Sequence, residues 1–305
     1  MTVRCDVSAY PTAPFIGRVK VKVDSPPCQA WSRAGKGLGL VDQPLVHQAV
    51  ADLAVGLDTR SELKAQCKDP RSILAAEPMR WHHDLRPETI LMEEVPDVLP
   101  LWKQYAQILR GWGYSVWCGE LNAADYGVGQ ARRRAILIAS RVRDVSAPTA
   151  THTQYPQGDS LFGAGLLPWR TMADALGWGY TRRPAPTVTG GGTETGGAEP
   201  FSSTSRAAMR AAMDNPGRWA WRKPAPTVTG TVGHVGGKQA GGHLSLSPAE
   251  AAALQSFPAG HPFKGNAGQI ALQIGNAVPP LLAARIVAAG LGLDFAEHLA
   301  APTAA

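Results

Sequence analysis

Through about residue 145 the chain repeats one grammar: a short apolar or β-branched run, a turn, then a stretch with helical spacing. That alternation admits few architectures other than an α/β sheet covered by helices. IGRVKVKVD, residues 16–24, alternates valine with basic residues and predicts a strand. It runs into SPPC, after which QPLVHQAVADLAVG places Leu45, Val46, Ala49, Val50, Leu53 and Ala54 on one helical face. A polar stretch with prolines and histidines extends to about residue 88, and its His82-His83 pair reads as solvated. TILMEEV, 89–95, predicts a second strand ending on two carboxylates, and LWKQYAQILRGWG a helix presenting Trp102, Tyr105, Ala106, Leu109 and Trp112. YSVWCGEL and AILIAS supply two further strand candidates.

The grammar then breaks. From 146 to 243 Gly, Pro, Thr and Ser dominate, and between 151 and 245 nine Lys and Arg face five acids. Within this region RRPAPTVTG (182–190) and RKPAPTVTG (222–230) are near-copies, too few for a solenoid. They read equally well as a duplicated strand edge or as two segments whose Arg, Lys and Thr face phosphates. Helical grammar returns at SPAEAAALQSF, where Ser247 as N-cap, Pro248 at the first helical position and Glu250 three residues on predict a capping box. QIGNAVPPLLAARIVAAGLG then feeds a polar turn into an apolar helix. Three segments follow: an α/β portion over 1–145, a loop-rich basic portion over 146–243, and helices over 244–305 that return to the first portion.

The net charge of +6 and pI near 9.3 are compatible with a polyanionic partner without requiring one. No signal peptide opens the chain and no uninterrupted apolar run approaches membrane-spanning length, so a cytoplasmic protein without a membrane partner is expected. Four widely spaced cysteines, Cys5, Cys28, Cys67 and Cys118, form no CxxC pair and have no histidine at ligand spacing, so neither disulfides nor a metal site are expected.

Cys28 stands apart because Pro26 and Pro27 stiffen the backbone just before it. Alone, such a cysteine is ordinarily inert. Its significance comes from an ordered set: SPPCQAWSRAG, MEEVP, DYGVGQARRRAILIAS, the 146–243 region, and QIGNAVPPLLA. That order resembles the DNA (cytosine-5) methyltransferases, whose blocks include a PPCQ nucleophile loop, ENV, QxRxR, a variable target-recognition region and a closing GNAVPP. The likeness spans roughly residues 5 to 290.

The resemblance implies a Rossmann-like S-adenosylmethionine-dependent methyltransferase sheet with a small, loop-rich target-recognition domain at 146–243. It also implies methyl transfer from S-adenosylmethionine to C5 of a cytosine flipped out of double-stranded DNA. Cys28 would add to C6 as the nucleophile. Glu93 would hold the N3 proton and the exocyclic amine, with Glu94 standing where the motif has Asn and able to raise the pKa of its neighbour. Arg132 and Arg134, headed by Gln130, match QxRxR and would steady the nucleophile loop and contact base or phosphate. Arg133 reads as a solvent-facing residue. Gly129 stands where proline is usual, which predicts a looser turn. Gln29 and Ser32 fall at DNA-facing positions of the nucleophile loop, and Arg182, Thr187, Arg222 and Thr227 are the candidate contacts in the near-copies.

The family's opening FxGxG turn for the methyl donor has no counterpart here, and residues 1–22 are too few for two βα units. The sheet is therefore expected to be N-terminally truncated, with an exposed edge strand. Asp6, Pro26, Asn276 and Val278 match donor-pocket positions, Asp6 reading equally as a surface-turn residue. Three arrangements stay open: a start upstream of Met1, a separate chain supplying the donor half, or a remnant that binds DNA without methylating it. The target sequence and the restriction-linked, phage or orphan role are not legible in these residues.

Overall fold

The structure is a computed structural model that describes residues 5–32, 37–156, 165–177 and 247–294, with the backbone of two short strands at 234–235 and 244–245. The chain divides into two compact units. The first takes residues 1–121, 133–148 and 285–305, the second 122–132 and 149–284. These units cut across the three consecutive segments expected from composition.

The first unit is an α/β layer structure around a four-stranded sheet. β1 (Val21–Asp24) pairs in parallel with β2 (Thr89–Glu94), Asp24 lying opposite Met92. β2 pairs antiparallel with β4 (Arg133–Ser140), Glu94 opposite Ala135, and β3 (Ser115–Asn122) flanks β4, giving the order β1-β2-β4-β3. The strand predicted over 16–24 is shorter than expected, because Ala13–Phe15 closes into a 3-10 turn and only four residues reach the ladder. The parallel step from β1 to β2 needs a crossover, supplied by α1 (Leu38–Ala54), α2 (Arg60–Gln66) and α3 (Glu77–Leu85).

TILM in β2 is buried throughout, because both faces of the sheet are covered. On one face Ile90 and Met92 join Leu137 and Ala139 in a core with Val46, Ala49, Val50 and Leu53 of α1 and with Leu101, Trp102, Tyr105 and Leu109 of α4 (Leu99–Gly111). The other face receives Gly290, where an added Cβ would meet Leu91 Cδ2 at 2.6 Å, so only glycine permits this approach. Among the described residues β1 forms one edge of the sheet, and its Val21 and Val23 are 42% and 69% exposed.

The second unit is held by capped helices and close backbone contacts. β5 (His152–Thr153) pairs in parallel with β6 (Leu167–Pro168), and α5 (Met172–Leu176) carries a Thr171–Asp174 capping box. The box predicted for Ser247 is present at α6 (Pro248–Leu254): Ser247 Oγ accepts from Glu250 N at 3.2 Å, and Glu250 Oε2 accepts from Ser247 N at 2.8 Å. A third box, Asn266 with Gln269, opens α7 (Ala267–Asn276). α8 (Pro280–Leu291) starts in this unit and passes to the first unit at Arg285.

By length and composition alone residues 267–291 would suffice to cross a membrane, against the expectation that no run approaches that length. The helix is broken at Ala277, whose ψ of 148° ends α7 before Pro279-Pro280 restarts it. Leu282, Ile286 and Ala288 bury in the fold instead.

Candidate active site

β1 delivers its last residue, Asp24, directly into Ser25-Pro26-Pro27-Cys28. Pro27 sits in extended geometry (φ −61°, ψ 119°), and Cys28 then opens a 3-10 turn through Ala30. Trp31 N and Ser32 N both donate to Cys28 O, at 2.9 and 2.8 Å, which locks the turn. Trp31 is fully buried, and a Cβ on Gly39 would meet its ring at 2.8 Å, so α1 clamps the turn from behind. The prolines and this clamp aim the half-buried sulfur.

Opposite this turn, the end of β2 brings Glu93. Its Oε2 accepts from Ser25 Oγ at 2.7 Å, and its Oε1 lies 3.0 Å from Arg134 Nε of β4. Arg134 also donates to Arg133 O at 2.7 Å, which fixes its reach. Cys28, Glu93 and Arg134 are thus gathered from three strand ends of one unit. Spacing in the sequence carried no hint of Ser25, which ties the nucleophile turn to the carboxylate.

Burial pushes the Cys28 thiol up, Glu94 and Glu93 add to that, and Arg134 opposes it. The resting sulfur is therefore a thiol. The expectation that Glu94 would perturb Glu93 is reversed in emphasis: Glu94 itself is raised, to about 8, first by burial and further by Glu93, against its bond from Val95 N and the charge of Arg134. Glu94 is 2% exposed, and its Oε1 has no hydrogen-bond partner among the described residues. Strand alternation explains the contrast, because successive side chains point to opposite faces of a sheet.

A buried charged cluster underlies the same turn. Asp24 accepts from Lys22 Nζ through Oδ1, and Oδ2 lies 2.9 Å from His82 Nε2. His82 is fully buried on α3, which corrects the reading of His82-His83 as a solvated pair. Met79, His82 and Leu85 share the buried face at helical spacing, a signal obscured by the surrounding prolines and charges. Burial raises Asp24, but the Lys22 charge and the His82 hydrogen bond outweigh it and bring it to about 2. Burial, aided by Lys22, lowers His82, so the ring is neutral at ordinary pH.

Gln29 is exposed beside Cys28 and lines a groove of about 560 Å³ with Ala30, Gly37, Leu38, Lys68 and Arg71. Ser32 is half-buried at the end of the turn. Pro26 is half-buried. Asp6 lies in an exposed loop held by Arg80, which donates to Val7 O and Tyr10 O at 2.7 and 3.0 Å. Ser8 donates to Asp6 Oδ1 from both N and Oγ, which lowers the carboxyl and leaves Oδ2 open among the described residues.

Other expected site residues belong to the second unit. Residues 122–132 form a clasp in which Ala123 N donates to Arg132 O at 2.9 Å and Arg132 N to Asn122 Oδ1 at 3.1 Å. Arg132 and Gln130 are buried, and Gln130 Nε2 reaches Leu254 O of α6 at 3.5 Å. Gly129 does not mark a loose turn: a Cβ there would lie 2.3 Å from Ala175 Cβ, so glycine is required by the close approach of α5. Asn276 is exposed at the end of α7, and Val278 is half-buried before α8. Arg133 belongs to the first unit and is solvent-facing as expected, 71% exposed beside Glu120 at 3.3 Å. Arg182, Thr187, Arg222 and Thr227, with both near-copies, lie outside the described residues.

A cysteine on a rigid strand-end turn, with a carboxylate fixed by an arginine and a serine, is an arrangement on an α/β sheet that can support thiol chemistry. The family model of C-5 cytosine-specific DNA methylase matches residues 15–290, and the chain belongs to that family. It is similar to the Type II methyltransferase M1.HphI of Haemophilus parahaemolyticus, 30% identical over 92% of this chain and 70% of that protein. It is also similar to the Type II methyltransferase M.AquIA of a Picosynechococcus strain, 26% identical over 56% of this chain and 67% of that protein. Among solved structures, an Entamoeba histolytica methyltransferase shares the fold with a TM-score of 0.51 at 12% identity, over 94% of this chain and 82% of its own. The chain is thus a methyltransferase of cytosine C5 in DNA, which requires a methyl donor.

Proposed function

We propose that Cys28 is the nucleophile that adds to C6 of a cytosine extruded from duplex DNA, with S-adenosylmethionine as donor. The observation that carries this is the gathering of Cys28, Glu93 and Arg134 on three strand ends of one unit. Cys28 loses its proton to solvent and its thiolate forms a bond to C6, the electron pair displaced from the C5–C6 double bond making C5 nucleophilic. Glu93, its oxygens oriented by Arg134 and Ser25, holds the proton that N3 takes up and accepts from the exocyclic amine. Once C5 has taken the methyl group and the donor has left as its neutral thioether, the C5 and N3 protons pass to solvent, the double bond re-forms and the sulfur departs as thiolate.

The donor's chemistry fits the residues available. In the first unit Asp6 presents an exposed carboxylate oxygen open to an amine and Pro26 offers apolar surface; in the second Asn276 presents an exposed amide and Val278 apolar surface, and all four are assigned to the donor on the family resemblance. When bound, the donor would supply an electrophilic methyl group. Gln29 and Ser32, with Gln130 and Arg132, are assigned to DNA and loop positioning, and 146–243 to target recognition, with Arg182, Thr187, Arg222 and Thr227 as its contacts. We assign the protein to the cytoplasm, where its DNA substrate lies.

Expression in a host without cytosine methylation, followed by bisulfite sequencing, should reveal 5-methylcytosine in a defined sequence context. Cys28→Ala should abolish it, a loss of at least about 10³-fold in rate. A Cys28→Ala protein that methylates as well as the parent would remove Cys28 from the mechanism. If the parent methylates only when a second polypeptide is added, a separate chain supplies the donor half.

A further inference from the structure

Glu94 is buried near Cys28 and forms no salt bridge of its own among the described residues. Its charge couples to Glu93 on its own strand, to Arg134 from β4, and to Cys28 in the turn after β1. Arg134 is already 3.0 Å from Glu93. Oε2 of Glu94 accepts from Val95 N, while Oε1 is buried without a partner among the described residues. An ionised carboxylate in that position would hold an uncompensated charge in a site of low dielectric. It would also act on the sulfur through space in the same sense as Glu93, against ionisation of the thiol.

We propose that Glu94 works as a neutral carboxylic acid, a positioning residue whose ionisation sets the alkaline limit of Cys28 reactivity. Protonated, it caps the Val95 N–H through Oε2 and carries its proton on Oε1, leaving Arg134 and Glu93 to define the field at the thiol. Ionised, it opposes formation of the thiolate. The inference rests on the reading of Cys28 as nucleophile for its catalytic meaning, but the coupling of the two groups is measurable without turnover.

The test is the alkylation rate of Cys28 by iodoacetamide, followed by peptide mass spectrometry from about pH 6.5 to about pH 9.5 in the parent and in Glu94→Gln. Both should react alike at the acidic end. Above about pH 8 the variant should react faster, roughly threefold or more, because the opposing charge has been removed. Profiles that superimpose, or a rate ratio constant with pH, would overturn the proposal. If Glu94→Gln does not fold by circular dichroism, Glu94→Asn carries the same test with the same two outcomes. The pH profile of single-turnover methylation should likewise lose its alkaline decline in the variant. Because alkylation needs neither DNA nor donor, failure of the coupling and failure of the nucleophile assignment give different results.

Discussion

Two buried charge clusters flank the nucleophile turn on adjacent, register-paired strands, and they are balanced differently. At the end of β1, Asp24 has both oxygens engaged, by Lys22 and by a neutral His82, so one anion meets one cation. At the end of β2, two carboxylates share one arginine. The first cluster holds Asp24 ionised, at about 2, whereas the second leaves Glu94 protonated up to about 8. Compensation, more than burial, separates them, since both groups are almost wholly removed from water. The balanced cluster suits a fixed foundation for the Pro-Pro turn, and the unbalanced one leaves a titratable group next to the thiol.

Breaking the balanced cluster should have the largest effect on stability. Asp24→Asn strands Lys22 without its counter-charge and should cost about 3 kcal/mol in urea unfolding at neutral pH. Loss of less than about 1 kcal/mol would mean that Lys22 escapes to solvent. The acid side follows from the signs. Asp24 is depressed in the folded chain, so its contribution is present above the unfolded value near 3.8 and is lost as pH falls through about 2.

The unbalanced cluster should respond in the opposite sense. Glu94 is raised in the folded chain, so between about 4.5 and about 8 the folded state holds the extra proton and stability falls as pH rises. Glu94→Gln removes that dependence. Its Tm relative to the parent should climb steadily between those pH values. A gap between the two melting curves that does not change with pH would equate Glu94 with an ordinary carboxylate. The smallest effect belongs outside both clusters: Arg133→Ala, which loosens a surface pair with Glu120, should change stability by less than about 0.5 kcal/mol.

Much of the frame was legible in the order of residues. The strand ending at 94, the helix over 99–111, the strand over 133–140 and the Ser247 capping box all follow from local periodicity and local hydrogen bonding. Of the site, Cys28 and Glu93 could be read from their blocks and Arg134 from its motif. Ser25 could not, because its partner lies across the sheet, on β2. His82 was read as solvated because its stretch looks polar, yet α3 turns it onto Asp24. Gly129 in place of proline predicts a looser turn, while the close approach of Ala175 makes glycine obligatory there.

The sequence by itself determined the strands ending at 94 and 140, the helices over 38–54 and 99–111, the stiff approach to Cys28 and the family, because these depend on neighbours along the chain. Tertiary structure alone decided which charges are buried and which are paired. A carboxylate's proton affinity depends on water, cations and dielectric around it, and folding sets those by bringing distant segments together. Glu93 and Glu94 are adjacent in sequence and share a strand. Strand alternation and burial against β4 nonetheless give one a serine and an arginine, and leave the other with an oxygen unpartnered among the described residues.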